Sequence, residues 1–219
     1  MRYTRVDNSV FVNMDCMELF SHMTDNSVDC IFTDIPYDGV RKDGGIRNMD
    51  KGKADVITFD LTKFCQECLR VCKGTIIIFC GKDQVSTVFS FFDSQKKGST
   101  RQLVWEKTNP SPVGGQYIYL SGIENAVWYK KPGATFNAHC KNTVFRHPCG
   151  RSKIHPTEKN HNLIKEILQD NTLSGKVVFD PCMGSASTAI VCRELGLKFI
   201  GCELDTEFFD VAVQRFRGK

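Results

Sequence analysis

The sequence predicts an α/β fold with a central, mostly parallel, seven-stranded sheet and helices on both faces. Short apolar runs rich in β-branched residues recur along the 219-residue chain, and amphipathic stretches of helical periodicity separate most of them. This alternation is typical of parallel strands joined by crossover helices. The chain is 41% hydrophobic and 25% charged, which suits one globular domain over residues 1–219.

Each element is predicted from its local pattern. Apolar runs predict strands near 9–12, 28–33, 75–80, 101–106, 123–129, 176–180 and 198–202. Amphipathic stretches predict helices near 14–21, 60–72, 83–93, 159–170, 186–195 and 206–217. Ligands of such sheets bind where strands end. We therefore expect function in the segments that follow strands 28–33 and 176–180.

The tetrad Asp34-Ile35-Pro36-Tyr37 follows the first of these strands. The carboxylate of Asp34 and the backbone carbonyl of Ile35 can each accept a hydrogen bond, and Tyr37 offers a flat face for stacking. Together these groups suit an enzyme that holds a planar amino-heterocycle and makes its amine nucleophilic.

The second segment runs from Gly175 to Ala189 and predicts a strand, a tight loop of small residues and the start of a helix. Small residues let the backbone approach a ligand closely, and the free N–H groups at a helix start suit a polar or anionic group. Glu203 ends the next strand, where an acidic residue suits a ribose diol. The segment is neither a dinucleotide G-x-G-x-x-G motif nor a P-loop. The combination favours an adenosine-containing cofactor.

Positive charge is concentrated in two loop-like segments. The net charge is +4, but residues 130–155 carry +6 and residues 41–53 carry +3, which leaves −5 for the rest. Solvated loops are the simpler interpretation of one such segment. Two of them, one directly after the tetrad, favour a polyanion such as nucleic acid as the partner.

With these motifs in place, the chain resembles the β group of DNA amino-methyltransferases, which methylate adenine-N6 or cytosine-N4. The resemblance covers about residues 8–215 and rests on the order and spacing of several stretches. They are Asn13-Met14-Asp15-Cys16, Asp34-Ile35-Pro36-Tyr37, Trp105 to Pro112, Glu124 to Tyr129, His155-Pro156-Thr157-Glu158-Lys159, and Asp180 to Ser187. It implies a Rossmann-like S-adenosylmethionine-dependent methyltransferase fold. It also implies a bacterial or phage-type protein of the cytoplasm.

The resemblance implies a role for each matching position. The catalytic residues would be Asp34, Ile35, Pro36 and Tyr37. The cofactor-binding residues would be Asp15, Cys16, Asp34, His155, Thr157, Lys159, Asp180, Pro181, Met183, Gly184, Ser185, Ala186, Ser187, Glu203 and Leu204. The DNA-binding residues would be Arg41, Lys42, Arg47, Lys107, Asn109, Lys130, Lys131, Lys141, Arg146, Arg151 and Lys153. S-adenosylmethionine would be the cofactor, S-adenosylhomocysteine its product and double-stranded DNA the partner, with no metal. Residues 130–155 would form a short target-recognition loop, and 38–58 a second basic loop.

Three positions depart from the family pattern. Ile35 replaces the first Pro of the tetrad, Cys182 replaces a Phe, and Ala186 replaces a Gly. Ile35 gains an N–H and loses the fixed φ of Pro, and a methyl at position 186 would crowd the cofactor or change the turn. Asp34 favours adenine as the target. Cytosine-N4 or RNA methylation, an inactive DNA-binding relative and a small-molecule amine methyltransferase remain alternatives.

The eleven cysteines are expected to be reduced thiols, because the N-terminus shows no signal peptide. Cys65, Cys68 and Cys72 have the spacing of one side of an amphipathic helix, and core packing is favoured over zinc. No apolar run approaches the length of a membrane span. The sequence leaves open whether two copies form a homodimer.

Overall fold

The structure is a computed structural model that describes residues 2–37, 57–112, 115–150 and 159–218. Its strands are β1 (Arg2–Val6), β2 (Ser9–Asn13), β3 (Val28–Asp34), β4 (Cys72–Cys80), β5 (Ser99–Lys107), β6 (Ile123–Lys130), β7 (Val144–His147), β8 (Val177–Asp180) and β9 (Lys198–Glu203). Its helices are α1 (Cys16–Ser21), α2 (Leu61–Val71), α3 (Val85–Asp93), α4 (His161–Asn171), α5 (Ser187–Glu194) and α6 (Thr206–Phe216).

One sheet contains all nine described strands in the order β1-β2-β9-β8-β3-β4-β6-β5-β7. Its centre is parallel, from β2 through β9, β8 and β3 to β4. β6 is antiparallel to both β4 and β5, so β5 runs in the same direction as β4. The α/β class and the mostly parallel sheet are confirmed.

The predicted count of seven strands is wrong, because both edge strands were missed. β1 forms an antiparallel hairpin with β2, and its sequence RYTRV is largely exposed. β7 is four residues long, lies inside the basic segment 130–155, and pairs with β5. An edge strand buries little of its surface, so neither strand needs the apolar run by which the others were recognised.

Side-chain alternation along β3 divides the core between the two faces of the sheet. Cys30 and Phe32 point into a cluster that contains residues of α4, α5 and α6, whereas Ile31 points into one that contains residues of α1, α2 and α3. Helices therefore cover both faces, as predicted. Cys65, Cys68 and Cys72 are fully buried in the second cluster. Within the described residues, no helix combines the length and apolar character that a membrane crossing requires.

Candidate active site

The carboxyl ends of the parallel strands β3, β8 and β9 lie at the same end of the sheet, and each strand ends at a carboxylate. These residues are Asp34, Asp180 and Glu203. Because β8 lies between the other two strands, the three carboxylates follow one another along this end. A cavity of about 640 Å³ opens there, and all three line it. The two segments singled out in the sequence therefore form one site.

The described lining of this cavity is acidic. It contains Asp15, Asp34, Asp180, Glu203, Asp205 and Glu207, against the single ammonium group of Lys159. A cationic ligand would reduce the repulsion among these carboxylates. S-adenosylmethionine carries a sulfonium and an ammonium group, so the charge of the lining fits the cofactor that the resemblance implies.

Four alternating charges form a chain of ion pairs from the tetrad through Lys159 to β6 and the end of β5. The Lys159 Nζ lies 2.7 Å from Asp34 Oδ2 and 2.5 Å from Glu124 Oε2. Glu124 Oε1 in turn lies 2.8 Å from Lys107 Nζ. Only 8% of the Lys159 side chain is exposed. The two negative and two positive charges balance, which is what buried ions need to offset their desolvation.

The charges in this chain respond differently to their surroundings. Burial raises the pKa of Asp34, Lys159 opposes this rise, and the charge of Glu124 adds to it. Burial acts on Glu124 too, but Lys159 and Lys107 together lower its pKa to about 2. Burial disfavours the charge of Lys159, yet its anionic neighbours, Asp34 foremost, raise its pKa. Of the two carboxylates in this network, Asp34 is therefore the one whose charged form is less favoured by its surroundings.

Tyr37 is folded toward the carboxylate of its own tetrad. Its hydroxyl donates to Asp34 Oδ1 at 2.7 Å and accepts from Lys159 Nζ at 3.2 Å. Burial and the charge of Asp34 raise the pKa of the Tyr37 phenol, which keeps it a hydrogen-bond donor. The ring remains partly exposed at the cavity.

Ile35, the irregular member of the tetrad, uses the N–H that a proline would lack. This group donates to the carbonyl of Phe79 at 3.1 Å and extends the pairing of β3 with β4 by one residue. The side chain of Ile35 is buried in the core on the α1–α3 face. A hydrogen bond and a packed side chain thus restrain the backbone in place of a pyrrolidine ring.

The loop after β8 is held by its own carboxylates. Asp180 accepts from the Thr188 hydroxyl at 2.7 Å and from the Cys182 N–H at 3.2 Å. Glu203 accepts from the Gly184 N–H at 3.1 Å. Burial raises the pKa of Asp180 to about 7 despite these bonds. A buried carboxyl with this pKa suits a cationic partner, which would favour its charged form.

Two residues of this loop, Ala186 and Cys182, lie in different surroundings, which the sequence alone did not show. Ala186 was predicted to contact the cofactor, but it lies outside the described lining and packs wholly within the core, so its methyl group does not crowd the cavity. Its backbone adopts the left-handed conformation, with φ 62°. Cys182, noted as a departure but not assigned to the site, does line the cavity.

Several other residues that were predicted to bind the cofactor line the same cavity. Asp15 caps α1 by accepting from the N–H groups of Met17 and Glu18. The cavity wall also contains Cys16, Pro36, Pro181, Met183, Ser185, Ser187 and Leu204. Sequence reasoning missed several lining residues, among them Thr58, Phe59 and the segment from Asp205, the N-cap of α6, to Phe208. A signal for the last group was available, since Asp205 comes two residues after the strand end at Glu203 and is the N-cap of a predicted helix.

Three of the residues predicted to bind DNA lie at the same end of the sheet as the site. Lys107 belongs to the buried charge chain, and 16% of its side chain is exposed. Asn109 accepts a hydrogen bond from the Cys149 N–H at 2.6 Å, which links the segment after β5 to the segment after β7. Arg146 is exposed at the end of β7 and pairs with Glu106 at 3.0 Å.

Three others do not lie at the mouth of the cavity. Lys130 pairs with Thr75 at the opposite end of the sheet, and the next residue, Lys131, donates to the Leu69 carbonyl. Lys130 is the last residue of the antiparallel strand β6, which runs away from the site, and Lys131 follows it. Lys141 is engaged by two carboxylates of α4, at 2.9 and 2.6 Å. The described part of the segment 130–155, residues 130–150, is therefore not one continuous basic face.

Seven predicted site residues lie outside the described residues: Arg41, Lys42, Arg47, Arg151, Lys153, His155 and Thr157. Most of the second basic loop, 38–58, is also outside them, with only residues 57 and 58 described. These positions remain predictions from the resemblance.

Comparison with known proteins identifies relatives across nearly the whole chain. It is 23% identical to the type II methyltransferase M2.DpnII of Streptococcus pneumoniae, over 99% of this chain and 92% of that one. It is 26% identical to the type II methyltransferase M.HinfI of Haemophilus influenzae, over 93% of this chain and 67% of that one.

Solved structures share the fold. The complex of M1.HpyAVI with S-adenosylmethionine is 25% identical and superposes with a TM-score of 0.72 over 94% of this chain and 98% of that one. The cytosine-N4-specific PvuII DNA methyltransferase has a TM-score of 0.74 at 16% identity, over 96% and 87% of the two chains, and this likeness concerns the fold alone. The family model for N6 and N4 DNA methylases matches residues 28–214. That match covers the tetrad, the four linked charges and the loop after β8. The protein therefore belongs to the N6/N4 DNA methylase family and is an S-adenosylmethionine-dependent DNA methyltransferase.

Proposed function

We propose that this chain is a site-specific adenine-N6 methyltransferase of double-stranded DNA. The observation that carries the proposal is the position of Asp34 in the acidic cavity. Its carboxylate ends β3 beside Asp180 and Glu203, so one cavity holds both an acceptor for an amine and a lining suited to a cationic methyl donor. Asp at the first tetrad position favours adenine within the family that the chain resembles.

The two acceptors of the tetrad would activate the target amine. The lone pair of an exocyclic amine is delocalised into the ring, which makes the nitrogen a poor nucleophile. If Asp34 and the Ile35 carbonyl each accept one amine hydrogen, the nitrogen moves toward sp3 geometry and its lone pair points at the donor methyl. Positioning and preorganised polar groups then account for most of the rate.

The proton balance of the reaction also suits Asp34. The amine nitrogen gains a methyl group and must lose one of its two protons. Burial raises the pKa of Asp34 above that of an exposed aspartate, so its carboxylate is the better able to hold this proton. S-adenosylmethionine supplies the methyl group and leaves as S-adenosylhomocysteine.

The target base must leave the duplex to reach Asp34. Tyr37 would stack on the base once its hydroxyl turns away from Asp34, and such stacking contributes about 1–3 kcal/mol per base. Arg146 lies at the same end of the sheet for contact with phosphate. The loop between β5 and β6 connects Lys107, at the end of β5, to the start of β6, where Glu124 lies. In this loop Tyr117 is 83% exposed and Tyr119 is 101% exposed. We include this loop in the proposed DNA surface.

Methyl transfer from tritium-labelled S-adenosylmethionine to mixed duplex DNA tests the proposal, followed by nucleoside analysis of the product. We expect N6-methyladenine from the wild type and at least a 100-fold lower rate from Asp34→Asn, which keeps the size of the side chain but loses its charge. Asp93→Asn, on the exposed end of α3, is the matched control and should be as active as the wild type.

The outcomes separate the alternatives. N4-methylcytosine in the product would replace adenine with cytosine as the target. Transfer to RNA in preference to DNA would change the polymer. A wild type that transfers no methyl group, or an Asp34→Asn variant with full activity, would refute the proposed function.

A further inference from the structure

Gln84 is a buried polar residue beside the tetrad that the mechanism above does not use. It stands at the N-cap position of α3 without capping the helix through its side chain, and it is 5% exposed. Its Oε1 accepts from the Gly81 N–H at 2.8 Å, and its Nε2 donates to the Pro36 carbonyl at 2.8 Å. A backbone N–H only donates and a carbonyl only accepts, so these two partners determine the orientation of the amide.

The bond to Gly81 interrupts the pairing of β3 with β4. The Ile35 N–H donates to the Phe79 carbonyl, and in a parallel ladder the next bond would run from the Gly81 N–H to the Ile35 carbonyl. Gln84 takes that N–H instead. The hydrogen-bond ladder between β3 and β4 therefore ends before it reaches the Ile35 carbonyl, which is the acceptor that the proposed mechanism requires.

The bond to Pro36 restrains the same turn from its other side. With Ile35 in place of a proline, the tetrad has one more rotatable backbone dihedral than its Pro-Pro counterpart. Gln84 links the Pro36 carbonyl to the turn at Gly81. A side chain at Gly81 would begin 3.3 Å from Gln84 Oε1 and 3.5 Å from Tyr37. This turn therefore supports both the backbone and the ring of the tetrad.

We propose that Gln84 is a positioning residue for methyl transfer, which keeps the Ile35 carbonyl out of the β3–β4 ladder and available to the target amine. The inference rests on the proposed function, because that function gives the Ile35 carbonyl its task. Without the amide, the Gly81 N–H would bond to this carbonyl and turn it toward β4, away from the target amine.

Two variants test the role of Gln84. Gln84→Met keeps the length of the side chain and removes both hydrogen bonds, and kcat should fall about 10- to 100-fold. The Kd for S-adenosylmethionine, measured by calorimetry, and the KM for DNA should stay within about threefold of the wild type, because Gln84 touches neither. Gln102→Met is the matched control, since this glutamine is exposed on β5 and bonds only to Asn125 in the described structure.

Gln84→Glu adds a readout that a purely structural role would not give. Its carboxylate still accepts from Gly81 but repels the Pro36 carbonyl, whereas its protonated form can donate to that carbonyl as the amide does. The kcat of Gln84→Glu relative to the wild type should therefore rise as the pH falls from 8 toward 5.5. Gln84→Met and Gln102→Met carry no titratable group, and their ratios should be flat.

The outcomes distinguish this inference from the proposed function. A wild type without methyl transfer refutes the proposed function. An active wild type with undiminished kcat in Gln84→Met overturns the role of Gln84 alone, as does a loss that appears only in the Kd for S-adenosylmethionine. If Gln84→Met does not fold, Gln84→Glu decides, and a ratio to the wild type that does not change with pH overturns the inference.

Discussion

Asp34 depends for its charge on residues from distant parts of the chain. Lys159 favours the carboxylate, but Lys159 is shared with Glu124, which lies close enough to raise the pKa of Asp34. Glu124 itself is paired with a second cation, Lys107. The pKa of Asp34 is raised by burial first, is lowered by Lys159, and is raised further by Glu124, a neighbour that forms no ion pair with it.

Replacing Glu124 should change the pH dependence of methyl transfer. Glu124→Gln removes a negative charge that raises the pKa of Asp34, so this pKa falls and the carboxylate persists to lower pH. The acid limb of the kcat profile should move to lower pH. The measurement is methyl transfer to DNA across the range from pH 5 to pH 8.

Glu106→Gln is the matched control for this prediction. Glu106 pairs with Arg146 at the surface and takes no part in the charge chain, so its loss should leave the acid limb in place. An equal shift in both variants would mean that overall charge, and not the position of Glu124, controls Asp34.

Asp180 should make cofactor binding depend on pH. Its pKa is about 7 because it is buried, so below pH 7 a growing fraction of the cofactor-free protein carries a proton there. A cationic cofactor favours the carboxylate, and that proton must leave on binding. Calorimetry between pH 6 and pH 8 should show affinity for S-adenosylmethionine rising with pH. Asp180→Asn should bind more weakly and with a shallower slope, because the carboxyl of Glu203, whose pKa burial also raises, remains in the cavity; an unchanged slope would contradict the prediction.

At the scale of elements, α5 starts from a residue that is unusual at its position. Ala186 is the N-cap and adopts the left-handed conformation, which costs an L-residue about 1–2 kcal/mol and a glycine almost nothing. Ala186→Gly removes this strain but also a buried methyl group and some restriction of the unfolded chain. We expect these effects to cancel, with a change below about 0.5 kcal/mol in the free energy of unfolding.

Ala189→Gly, in the interior of the same helix, is the control. It loses a buried methyl group with no strain to relieve, and its free energy of unfolding should fall by about 1.5–2 kcal/mol. Urea denaturation of both variants measures the difference. Equal destabilisation of the two variants would show that position 186 stores no backbone strain.

The elements that build the site were predictable, and those at the sheet edges were not. β3, β8 and β9 are largely buried, so their sequences are mostly apolar and each ends at a carboxylate. β1 and β7 bury little, and β7 exists because β5 offers it an open edge. No local pattern within residues 144–147 carries that information.

At the scale of the whole molecule, the described basic residues face in several directions. Lys130 and Lys131 lie at the end of the sheet opposite the site, and carboxylates engage Lys141 and Arg146. At the end of the sheet that carries the site, the described surface instead has an exposed stretch of apolar residues between β5 and β6, which contains Tyr117 and Tyr119. We therefore expect stacking, as well as charge, to contribute to DNA binding.

The double substitution of Tyr117 and Tyr119 by Ala tests the loop. Loss of stacking on bases should raise the KM for DNA about fivefold or more. Stacking releases no counterions, so the slope of log KM against log salt concentration should stay unchanged. Substitution of both residues by Phe should preserve binding.

Tyr3→Ala is the control for exposure, because Tyr3 is 64% exposed on β1 at the far edge of the sheet. It should not affect the KM for DNA. A change of oligomeric state in the Tyr117/Tyr119 variant, seen by analytical ultracentrifugation without an effect on DNA binding, would assign the loop to contact between copies of this chain.

The sequence by itself determined the α/β class, the order of the motifs and the carboxylates at the strand ends, because each of these depends on residues that are neighbours along the chain. Only the tertiary structure decided that Lys159 and Lys107 flank Glu124, and that Gln84 rather than Ile35 receives the Gly81 N–H. It also turned the methyl group of Ala186 into the core. These outcomes depend on distances between segments that lie tens of residues apart, and such distances are established by the packing of the sheet and its helices.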